Sequence, residues 1–402
     1  MTLEATREET GRFIGILDPD LAGAFYAQAE KGLDGNLIDA RSIEGHGDFV
    51  KRVGNSNVFF RRLGVVVFAR PPTRSAERFF LRMEPECMRI GQVPPDALTL
   101  KLKHKADLHL RDYSMKRVTS DAARDRAPPP TGQGVRVGII DSGIALEHPA
   151  FEGRNPLRRS FVSTPAHEDE AGHGTACASI LCGKPDAQGE HAGVAPGVEL
   201  VVAKIFKRRL YAPDMVIIAA LEWVLDQNCS IVSMSIGDPV ALRNSFSRAF
   251  EDVASRGKAE GALIIAGAGN DSYRGAGTLR PVNHPANCPS VMAVGAIADE
   301  QTVADFSNQG ELGNGNGDKV DIAAPGVSVS AAVRGSVRRL YEPKHGTSFA
   351  VPYVAGVAAL WKQARPQQTN TAQELWDLVT ANVRPLAPLA EVDVGAGLAR
   401  GP

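Results

Sequence analysis

The spacing of apolar residues in the first quarter of the chain predicts a small domain that mixes strands and helices. Short β-rich runs are separated by turn residues, and two stretches between them place apolar residues at helical intervals. The predicted strands are 12–17, 36–40, 57–60, 63–68, 87–93 and 98–102, and the predicted helices are 21–31 and 73–83. This order, β-α-β-β-α-β with an extra strand, indicates a ferredoxin-like α+β unit.

The pattern breaks down after about residue 110, where charged residues are followed by Pro128-Pro129-Pro130. Such a segment is typical of an extended linker, so we predict a linker with a domain boundary over 111–133. The polar segment 1–11 is predicted to be disordered. These boundaries leave a ferredoxin-like domain at 12–110 and a larger domain at 134–402.

In the larger domain, strands of uninterrupted apolar residues alternate with helices. The predicted strands are 135–140, 200–205, 231–235, 262–266, 291–296 and 320–324, and the predicted helices are 174–181, 213–228, 246–258 and a long last one after Ser348. This alternation is typical of α/β proteins with a doubly wound, mostly parallel sheet that helices cover on both faces. Ligands bind such sheets beyond the carboxyl ends of the strands, where Asp141, Ser235 and Asn270 fall.

Composition narrows the classes of function. With 43% hydrophobic residues, 23% charged residues and a formal net charge of -1, the 402-residue chain is typical of a globular protein and shows no basic field for nucleic acid. It has no apolar run of about 18 residues that would span a membrane. Its 5 cysteines indicate neither a disulfide framework nor structural zinc. The polar N-terminus carries no secretory signal, so we predict a cytoplasmic protein.

Ser348 lies in Gly346-Thr347-Ser348-Phe349-Ala350-Val351-Pro352, directly before a long run of apolar and small residues. A proline here fits the first turn of a buried helix, whose free N–H groups and dipole favour developing negative charge. A serine hydroxyl becomes a good nucleophile only when a neighbouring base takes its proton. By itself, Ser348 is either such a nucleophile or a simple helix cap.

Three further polar residues suit nucleophilic chemistry. Asp141 ends the first strand of the larger domain, His173 directly precedes a predicted helix, and Asn270 follows a strand through a glycine-rich turn. Each also has a simple structural explanation. Asp141 is explained as a turn residue, His173 as a buried or capping histidine, and Asn270 as a residue that tolerates a left-handed backbone conformation. All four residues, Ser348 included, would have to fall in these contexts by accident at once, and this disfavours the separate explanations.

The segments Asp141-Ser142-Gly143, His173-Gly174-Thr175 and Gly346–Pro352 resemble the three signature segments of the subtilisin-like serine peptidases, the subtilases, and they occur in that family's order. Ala266–Asn270 is similar to the segment that carries the family's oxyanion asparagine. The resemblance covers roughly residues 132–385. It implies a subtilisin-like sheet for the larger domain.

By this resemblance, Ser348 is the nucleophile of a serine endopeptidase, His173 its general base and acid, and Asp141 the residue that orients the imidazole. Asn270 and the Ser348 backbone N–H would bind the oxyanion. Two segments would bind the substrate backbone and line the pocket for the side chain before the cut bond: Ser235, Ile236 and Gly237, and opposite them Gly267, Ala268 and Gly269.

The small residues of these two segments predict a roomy pocket that admits a large side chain, with Asn283 near its base. The sequence shows no acidic cluster there that would demand a basic side chain. Ordinary turn geometry is the alternative explanation of the glycines. Cys177, one helical turn after His173, is predicted to be a small buried hydrophobe.

Many subtilases carry an N-terminal propeptide of ferredoxin-like fold that blocks the cleft and is then cut away, and residues 12–103 are similar in predicted order. The resemblance implies that this domain is an intramolecular inhibitor, with the linker as cut site or as permanent tether. A fused regulatory or partner-binding domain is the alternative. The implied chemistry requires no cofactor. A structural calcium ion is common in the family, but its ligand loops vary and no calcium site is carried over.

Three functions stay open. The first is an endopeptidase for polypeptides, made as a self-inhibited precursor. The second is a dedicated intracellular processing peptidase that matures one partner or peptide. The third is a non-catalytic peptide-binding relative, which the intact set of four polar residues disfavours. A nucleotide-binding protein is also disfavoured, because Gly267-Ala268-Gly269-Asn270 lacks the third glycine of the dinucleotide fingerprint. No nucleic-acid or membrane partner is expected.

Overall fold

The computed structural model describes residues 9–29, 36–43, 47–90, 129–185, 192–208, 210–240, 246–312, 317–335 and 340–402. These residues form a small domain on a mostly antiparallel sheet and a larger domain on a mostly parallel one. The predicted strand 98–102 and most of the predicted linker lie outside the described residues. Within the described ranges, no helix is long and apolar enough to cross a lipid bilayer.

The described residues of the small domain contain five strands and three short α-helices. In chain order they are β1 (Glu9–Leu17), α1 (Ala22–Ala29), β2 (Leu37–Asp39), α2 (Phe49–Val53), β3 (Asn57–Phe60), β4 (Val65–Phe68), α3 (Arg74–Glu77) and β5 (Phe80–Ile90). The strands are ordered β2-β3-β4-β1-β5, and all neighbours except β2 and β3 are antiparallel. The predicted small α+β domain is confirmed, with β2 as an additional edge strand.

Both faces of this sheet are apolar. On one face Phe25 of α1 packs with Phe59 and neighbouring aromatic rings. On the other face Ile14, Ile16 and Val67 join a buried cluster that continues into the larger domain. Because residues of a strand alternate between faces, one domain can present both surfaces from the same strands. The two domains therefore share part of one hydrophobic core.

Two predictions for the small domain are wrong. The end of the segment 1–11, predicted to be disordered, belongs to β1, which begins at Glu9; residues 1–8 lie outside the described residues. The predicted helix 73–83 is only the single turn α3, because residues from Phe80 onward belong to β5. Their apolar spacing suits a helix, yet pairing with β1 overrides that preference and sets Met83 opposite β1.

The larger domain is built on a sheet of eight strands. Its elements in chain order are β6 (Arg136–Asp141), β7 (Leu157–Ser160), α4 (His173–Cys182), β8 (Glu199–Lys204), β9 (Tyr211–Pro213), α5 (Asp214–Asp226), β10 (Ile231–Met234), α6 (Arg248–Ala259), β11 (Leu263–Gly267), β12 (Met292–Asp299), β13 (Thr302–Val303), β14 (Ile322–Pro325), β15 (Val329–Ala332), β16 (Tyr341–Lys344), α7 (Thr347–Ala364), α8 (Ala372–Ala381) and α9 (Glu391–Val394). The order is β13-β12-β11-β10-β6-β8-β7, with β14 also on β12. Every pair except β12–β13 is parallel, which confirms the predicted fold class.

Helices cover both faces of this sheet. Ile139 of β6 belongs to the buried cluster under α4, α7 and α8, whereas its neighbour Ile140 belongs to the cluster under α5 and α6. Strands buried on both sides need apolar residues at every position, and this explains the uninterrupted apolar runs in the sequence. The parallel arrangement also brings the carboxyl ends of β6, β10 and β11 to one edge.

The end of the predicted linker 111–133 belongs to the larger domain. The backbone N–H groups of Thr131 and Gly132 both donate to Gln363 Oε1 of α7, at 2.7 and 2.6 Å. Gly132 also packs so closely on Val198 that a Cβ would lie 2.6 Å from its Cγ1. The linker prediction therefore extends too far, because the chain is already anchored at Thr131.

We expect Gly356→Ala to destabilise the larger domain. Gly356 lies inside α7, where a Cβ would sit 2.6 Å from the Cβ of Val194, an atom that side-chain rotation cannot move. Alanine would gain about 1 kcal/mol of helix propensity. Overpacking costs about 1–3 kcal/mol of folding stability, so we expect this cost to exceed the gain in helix propensity. The thermal unfolding midpoint should fall, whereas Gly23→Ala in α1, where no neighbour lies within 4 Å, should not lower it. An unchanged midpoint for Gly356→Ala would contradict the tight packing.

Candidate active site

Asp141 and His173 meet at the edge of the sheet where β6 ends. Asp141 is the last residue of β6 and is 1% exposed, and His173 is the first residue of α4 and is 7% exposed. His173 Nδ1 lies 2.8 Å from Asp141 Oδ1 and 2.9 Å from Oδ2. A carboxylate only accepts hydrogen bonds, so Nδ1 carries the proton. Nε2 is thereby left as the basic nitrogen, and it has no hydrogen-bond partner in the described part of the chain.

Charge and burial act in opposite directions on His173. Burial lowers the pKa of its imidazole, because a charged ring loses water. Burial is the largest single effect, but the charge of the Asp141 carboxylate and its hydrogen bond to the ring, with a further contribution from Cys177, together outweigh it, so the pKa of His173 lies well above its usual value. The pair therefore favours the imidazolium that a general base forms when it accepts a proton.

A second buried aspartate fixes the distance between these two residues. Asp169 Oδ1 accepts from Ser142 Oγ at 2.7 Å and from Gly172 N at 2.8 Å, and Oδ2 accepts from the N and Oγ1 of Thr175. It thus joins the end of β6 to the first turn of α4. Lys204 Nζ, fully buried, donates to the carbonyl oxygen of Ser142 on the same turn. Sequence reasoning missed Asp169, although it lies only four residues before His173.

Ser348 is the second residue of α7 and is 1% exposed. Its position beside the other site residues is fixed through its carbonyl oxygen, which accepts from Ser235 Oγ at 2.8 Å and lies 3.5 Å from Cys177 Sγ. The ring of the next residue, Phe349, packs on the His173 ring with centroids 5.5 Å apart. Gly346, directly before α7, has φ 142°, a conformation that favours glycine.

Asn270 is oriented by the residue before the serine. The backbone N–H of Thr347 donates to Asn270 Oδ1 at 2.8 Å, and its hydroxyl donates to the same oxygen at 3.0 Å. Because both donors bind the oxygen, the amide nitrogen is turned away from Thr347, towards Gly346. Thr347 is a second residue whose part in the site was not foreseen from the sequence.

The two predicted substrate-binding segments lie at the ends of neighbouring parallel strands. Ser235, Ile236 and Gly237 directly follow β10, and Gly267, Ala268 and Gly269 end or follow β11. The side chains of Ile236 and Ala268 are fully buried in the core beneath them. What these two residues offer to the cleft is therefore their backbone.

One acidic residue, Asp271, lies beside these segments; the sequence analysis, which found no acidic cluster there, did not single it out. Asp271 Oδ2 accepts from Asn283 Nδ2 at 2.8 Å and from Asn308 Nδ2 at 3.2 Å. Sequence reasoning placed Asn283 near the pocket base but overlooked Asp271 and Asn308. The position of Asp271, one residue after Asn270, was the available signal.

Cys177 is a buried thiol next to the catalytic candidates. Its Sγ lies 3.9 Å from His173 Nδ1 and, with Asp141, these donor atoms lie within 4.8 Å of one another. Burial raises the pKa of Cys177, so the thiol stays protonated at neutral pH. It fills space as a small apolar group under the His173 ring.

Comparison with known proteins decides the family. The model of the subtilase family matches residues 132–393. This chain belongs to the subtilase family. The resemblance of its three signature segments to that family is thereby confirmed.

Subtilases of known sequence and structure support this assignment. Subtilisin E of Bacillus subtilis (strain 168) is 34% identical over 242 residues, which cover 60% of this chain and 58% of that protein. Subtilisin of Bacillus pumilus is 34% identical over 242 residues, 81% of its own length. A mutant of the protease domain of PatA matches with a TM-score of 0.56 at 27% identity, covering 68% of this chain and 95% of that one. The Prenylagaramide maturation protease PagA matches with a TM-score of 0.54 at 25% sequence identity. This match covers 66% of this chain and 90% of that one.

We expect Asp141→Asn to lower the pKa of His173. The substitution removes the charge that raises this pKa, while burial, which lowers it, remains. In the wild type the charged pair stabilises the fold fully below the usual histidine pKa of about 6.5, and this contribution is lost as the pH rises through the higher folded-state pKa. An NMR titration of the His173 imidazole measures the shift. Glu147→Gln, which removes the carboxylate beside His148, is the control and should leave His173 unchanged. Equal His173 pKa values in wild type and Asp141→Asn would contradict the pairing.

Proposed function

We propose that this chain is a serine endopeptidase made as a self-inhibited precursor. Ser348 Oγ attacks the carbonyl carbon of a peptide bond, and His173 Nε2 takes the hydroxyl proton and passes it to the leaving amine. Water, deprotonated by the same nitrogen, then releases the acyl group from Ser348. The observation that supports this most strongly is the hydrogen bonding of His173 Nδ1 to buried Asp141, since it leaves Nε2 as the base.

The oxyanion formed in the attack would be bound by Asn270 and by the first turn of α7. The hydrogen bonds from Thr347 hold the Asn270 amide in one orientation, so its donor needs little reorganisation during the reaction. The Ser348 N–H lies in the same helical turn, where the helix dipole favours negative charge.

The substrate would bind as an extended strand along Ser235–Gly237 and Gly267–Gly269. Backbone hydrogen bonds of such a strand give affinity without regard to sequence, and the space between the two segments takes the side chain before the cut bond. This arrangement suits an endopeptidase, because nothing in it requires a free chain end.

The small domain would act as the intramolecular inhibitor. Its strand β5 pairs antiparallel with β9 of the larger domain, Met88 opposite Pro213 and Ile90 opposite Tyr211. The two sheets are thus joined by strand addition, the same mode of binding that an extended peptide uses. β9 is consequently occupied and is not open to another strand.

Two glutamates of β5 anchor this docking at helix N-termini. Glu86 Oε1 accepts from Met215 N at 2.7 Å in the first turn of α5. Glu84 accepts from Ala249 N at 3.1 Å and from Ser247 Oγ at 2.8 Å at the start of α6. The helix dipole and the first N–H groups of a helix attract such acceptors, although for Glu86 burial acts against the charged form more strongly.

Basic side chains hold the docked domain from both directions. Arg256 of α6 donates to the carbonyl oxygens of Leu63 and Gly64 at 2.9 and 3.0 Å, and to that of Leu17 at 2.7 Å. In the opposite direction, Arg62 of the small domain reaches Glu260 beside α6, at 3.0 Å. Removing the small domain would leave all these groups exposed to water. We therefore assign these contacts to the precursor, in which the small domain is still attached.

A dedicated processing peptidase is the second candidate. The structural match to the Prenylagaramide maturation protease PagA favours it, because that protein is named for maturing a product. A peptide library separates the two functions. Cleavage at one motif supports a processing peptidase, and cleavage of many sequences supports a general endopeptidase.

Self-processing is tested by comparing the intact mass of freshly purified wild type with that of Ser348→Ala. We expect the wild type to be shortened to a start between residue 111 and Thr131, where the chain is anchored, and Ser348→Ala to keep its full length. Ser75→Ala, which removes an exposed serine of the small domain, is the control and should be shortened like the wild type.

If wild type and Ser348→Ala both keep their full length, self-processing is wrong and the small domain is a lasting part of the protein. Labelling with a fluorophosphonate then decides between an inhibited enzyme and a non-catalytic relative. Folded Arg256→Ala, in which docking is weakened, should be labelled at Ser348. If it stays inert, the endopeptidase proposal fails.

Docking of the small domain should weaken as the pH rises. Burial raises the pKa of Glu86 from 4.5 to about 7 in the docked state, so docking binds a proton. Its contribution is complete below pH 4.5 and is lost as the pH rises through about 7. We expect about tenfold weaker docking at pH 8 than at pH 6.

This pH dependence is measured on Ser348→Ala protein whose linker has been nicked by trypsin, with gel filtration at each pH. Glu86→Gln should remove the dependence, because the amide does not titrate. Glu84→Gln, the matched change on the same strand, should keep it. Equal docking at both pH values in the parent protein would contradict the role of Glu86.

A further inference from the structure

Lys204 is a fully buried basic side chain at the edge of the sheet where the candidate site lies. It is the last residue of β8 and lies opposite Asp141 in the register of β6 and β8. Its Nζ donates to the carbonyl oxygen of Ser142 at 2.6 Å and to that of Glu168 at 2.8 Å. The ammonium group is therefore held on the turn that directly follows the candidate orienting aspartate.

Two carboxylates are buried close to His173. Asp141 binds the imidazole directly, and Asp169 accepts from two backbone N–H groups at the start of α4. Both aspartates are 1% exposed, so water screens their charges little. Each negative charge stabilises the imidazolium, and two uncompensated charges would keep a proton on His173 at neutral pH. A base that already carries a proton cannot accept the one from Ser348.

Lys204 brings one positive charge into this buried group. Burial lowers the pKa of Lys204, whereas Asp169, Glu170 and Asp141 act in the opposite direction by favouring the ammonium. The usual lysine pKa of about 10.4 leaves room for such a lowering before the charge is lost at neutral pH. Glu170 Oε2 lies 3.6 Å from Nζ, but its side chain is 32% exposed and its charge is partly screened. Lys204 therefore offsets one of the two buried aspartates and leaves the other to His173.

The other charged groups around the pair are exposed or neutral. Arg334, after β15, donates to the carbonyl oxygen of Asp169 at 2.6 Å, but it is exposed, and so is Glu168. Cys177 of α4 keeps its thiol protonated, because burial raises its pKa. Among the described residues, Lys204 is the only lysine or arginine that is fully buried. Its charge is consequently the one that water screens least.

We propose that Lys204 is a positioning residue whose buried charge keeps His173 unprotonated, and so able to act as the base, in the pH range where the endopeptidase works. The inference rests on the proposed endopeptidase function and deepens it by naming what sets its pH range. The ammonium opposes a proton on the imidazole, because like charges repel strongly where water is excluded. Its hydrogen bonds to two carbonyl oxygens keep it from moving away from the pair.

The first test follows His173 itself, by NMR titration of the imidazole in full-length Ser348→Ala. Lys204→Met removes the charge at nearly equal length, and Lys204→Gln removes it while keeping N–H donors, so two independent neutral variants are available. We expect either one to raise the pKa of His173 by about one unit. Lys362→Met is the control. It removes a lysine that donates to the carbonyl oxygen of Thr369, about 21 Å along α7 from Ser348, and should leave His173 unchanged.

The second test is the rate at which a fluorophosphonate labels Ser348, measured against pH in Arg256→Ala. Every protein also carries Glu86→Gln, so that titration of the docked domain does not contribute. Without the charge of Lys204, the pH at which labelling rises should increase by about one unit, which is about a tenfold loss below that pH with recovery above it. Lys204→Arg keeps the charge and should keep this pH, at whatever rate. A purely structural role would lower the rate equally at every pH.

The two tests separate the role of Lys204 from the proposed function. An unshifted His173 pKa in a folded neutral variant, or a labelling profile that stays in place, overturns the role of Lys204 while the endopeptidase function stands. Absence of labelling at every pH in the protein with Lys204 intact overturns the endopeptidase function, and the assigned pH range with it, whatever the NMR titration shows.

Discussion

A buried carboxylate can lie beside a buried imidazole only if the surrounding polar groups are satisfied, and the larger domain is arranged around this requirement. Asp141 is held at the end of a central strand and His173 at the start of a helix, so their contact depends on the join between these elements. Asp169 makes that join with four hydrogen bonds. Lys204 adds a buried positive charge behind it. The Asp141–His173 pair is thus positioned by buried polar contacts between the end of β6 and the start of α4.

Helix N-termini serve two purposes in this protein. At α7 the helix dipole favours negative charge beside Ser348, where such charge would develop during the reaction. At α5 and α6 the same electrostatic feature receives Glu86 and Glu84 from the small domain. The first use is transient and the second lasts as long as the domain is docked. Both helices that receive glutamates pack on the sheet that carries the candidate site, so the docked domain and the site contact the same sheet and helices.

The sequence predicts the larger domain well because strands buried on both faces leave uninterrupted apolar runs, as in β10 and β11. The small domain is harder to predict, since Phe80 and Met83 fit a helix by spacing and become a strand only through pairing with β1. Within the candidate site, the signature segments are what point to Ser348 and His173. Asp169, Thr347 and Asn308 carry no comparable signal, because their parts depend on hydrogen bonds across distant segments. Exposed Leu157 gives β7 too little apolar pattern to be found.

The strand pairing between β5 and β9 has a consequence for how inhibition would end. While the linker is intact, the small domain is held at a high effective concentration, which is millimolar for short flexible tethers. Cutting the linker changes none of the contacts, but it turns a unimolecular equilibrium into a bimolecular one. Occupancy of β9 then depends on how much of both pieces is present, so the same interface that is saturated in the precursor empties on dilution. The tether, rather than any rearrangement in the larger domain, would set the concentration at which the enzyme becomes free.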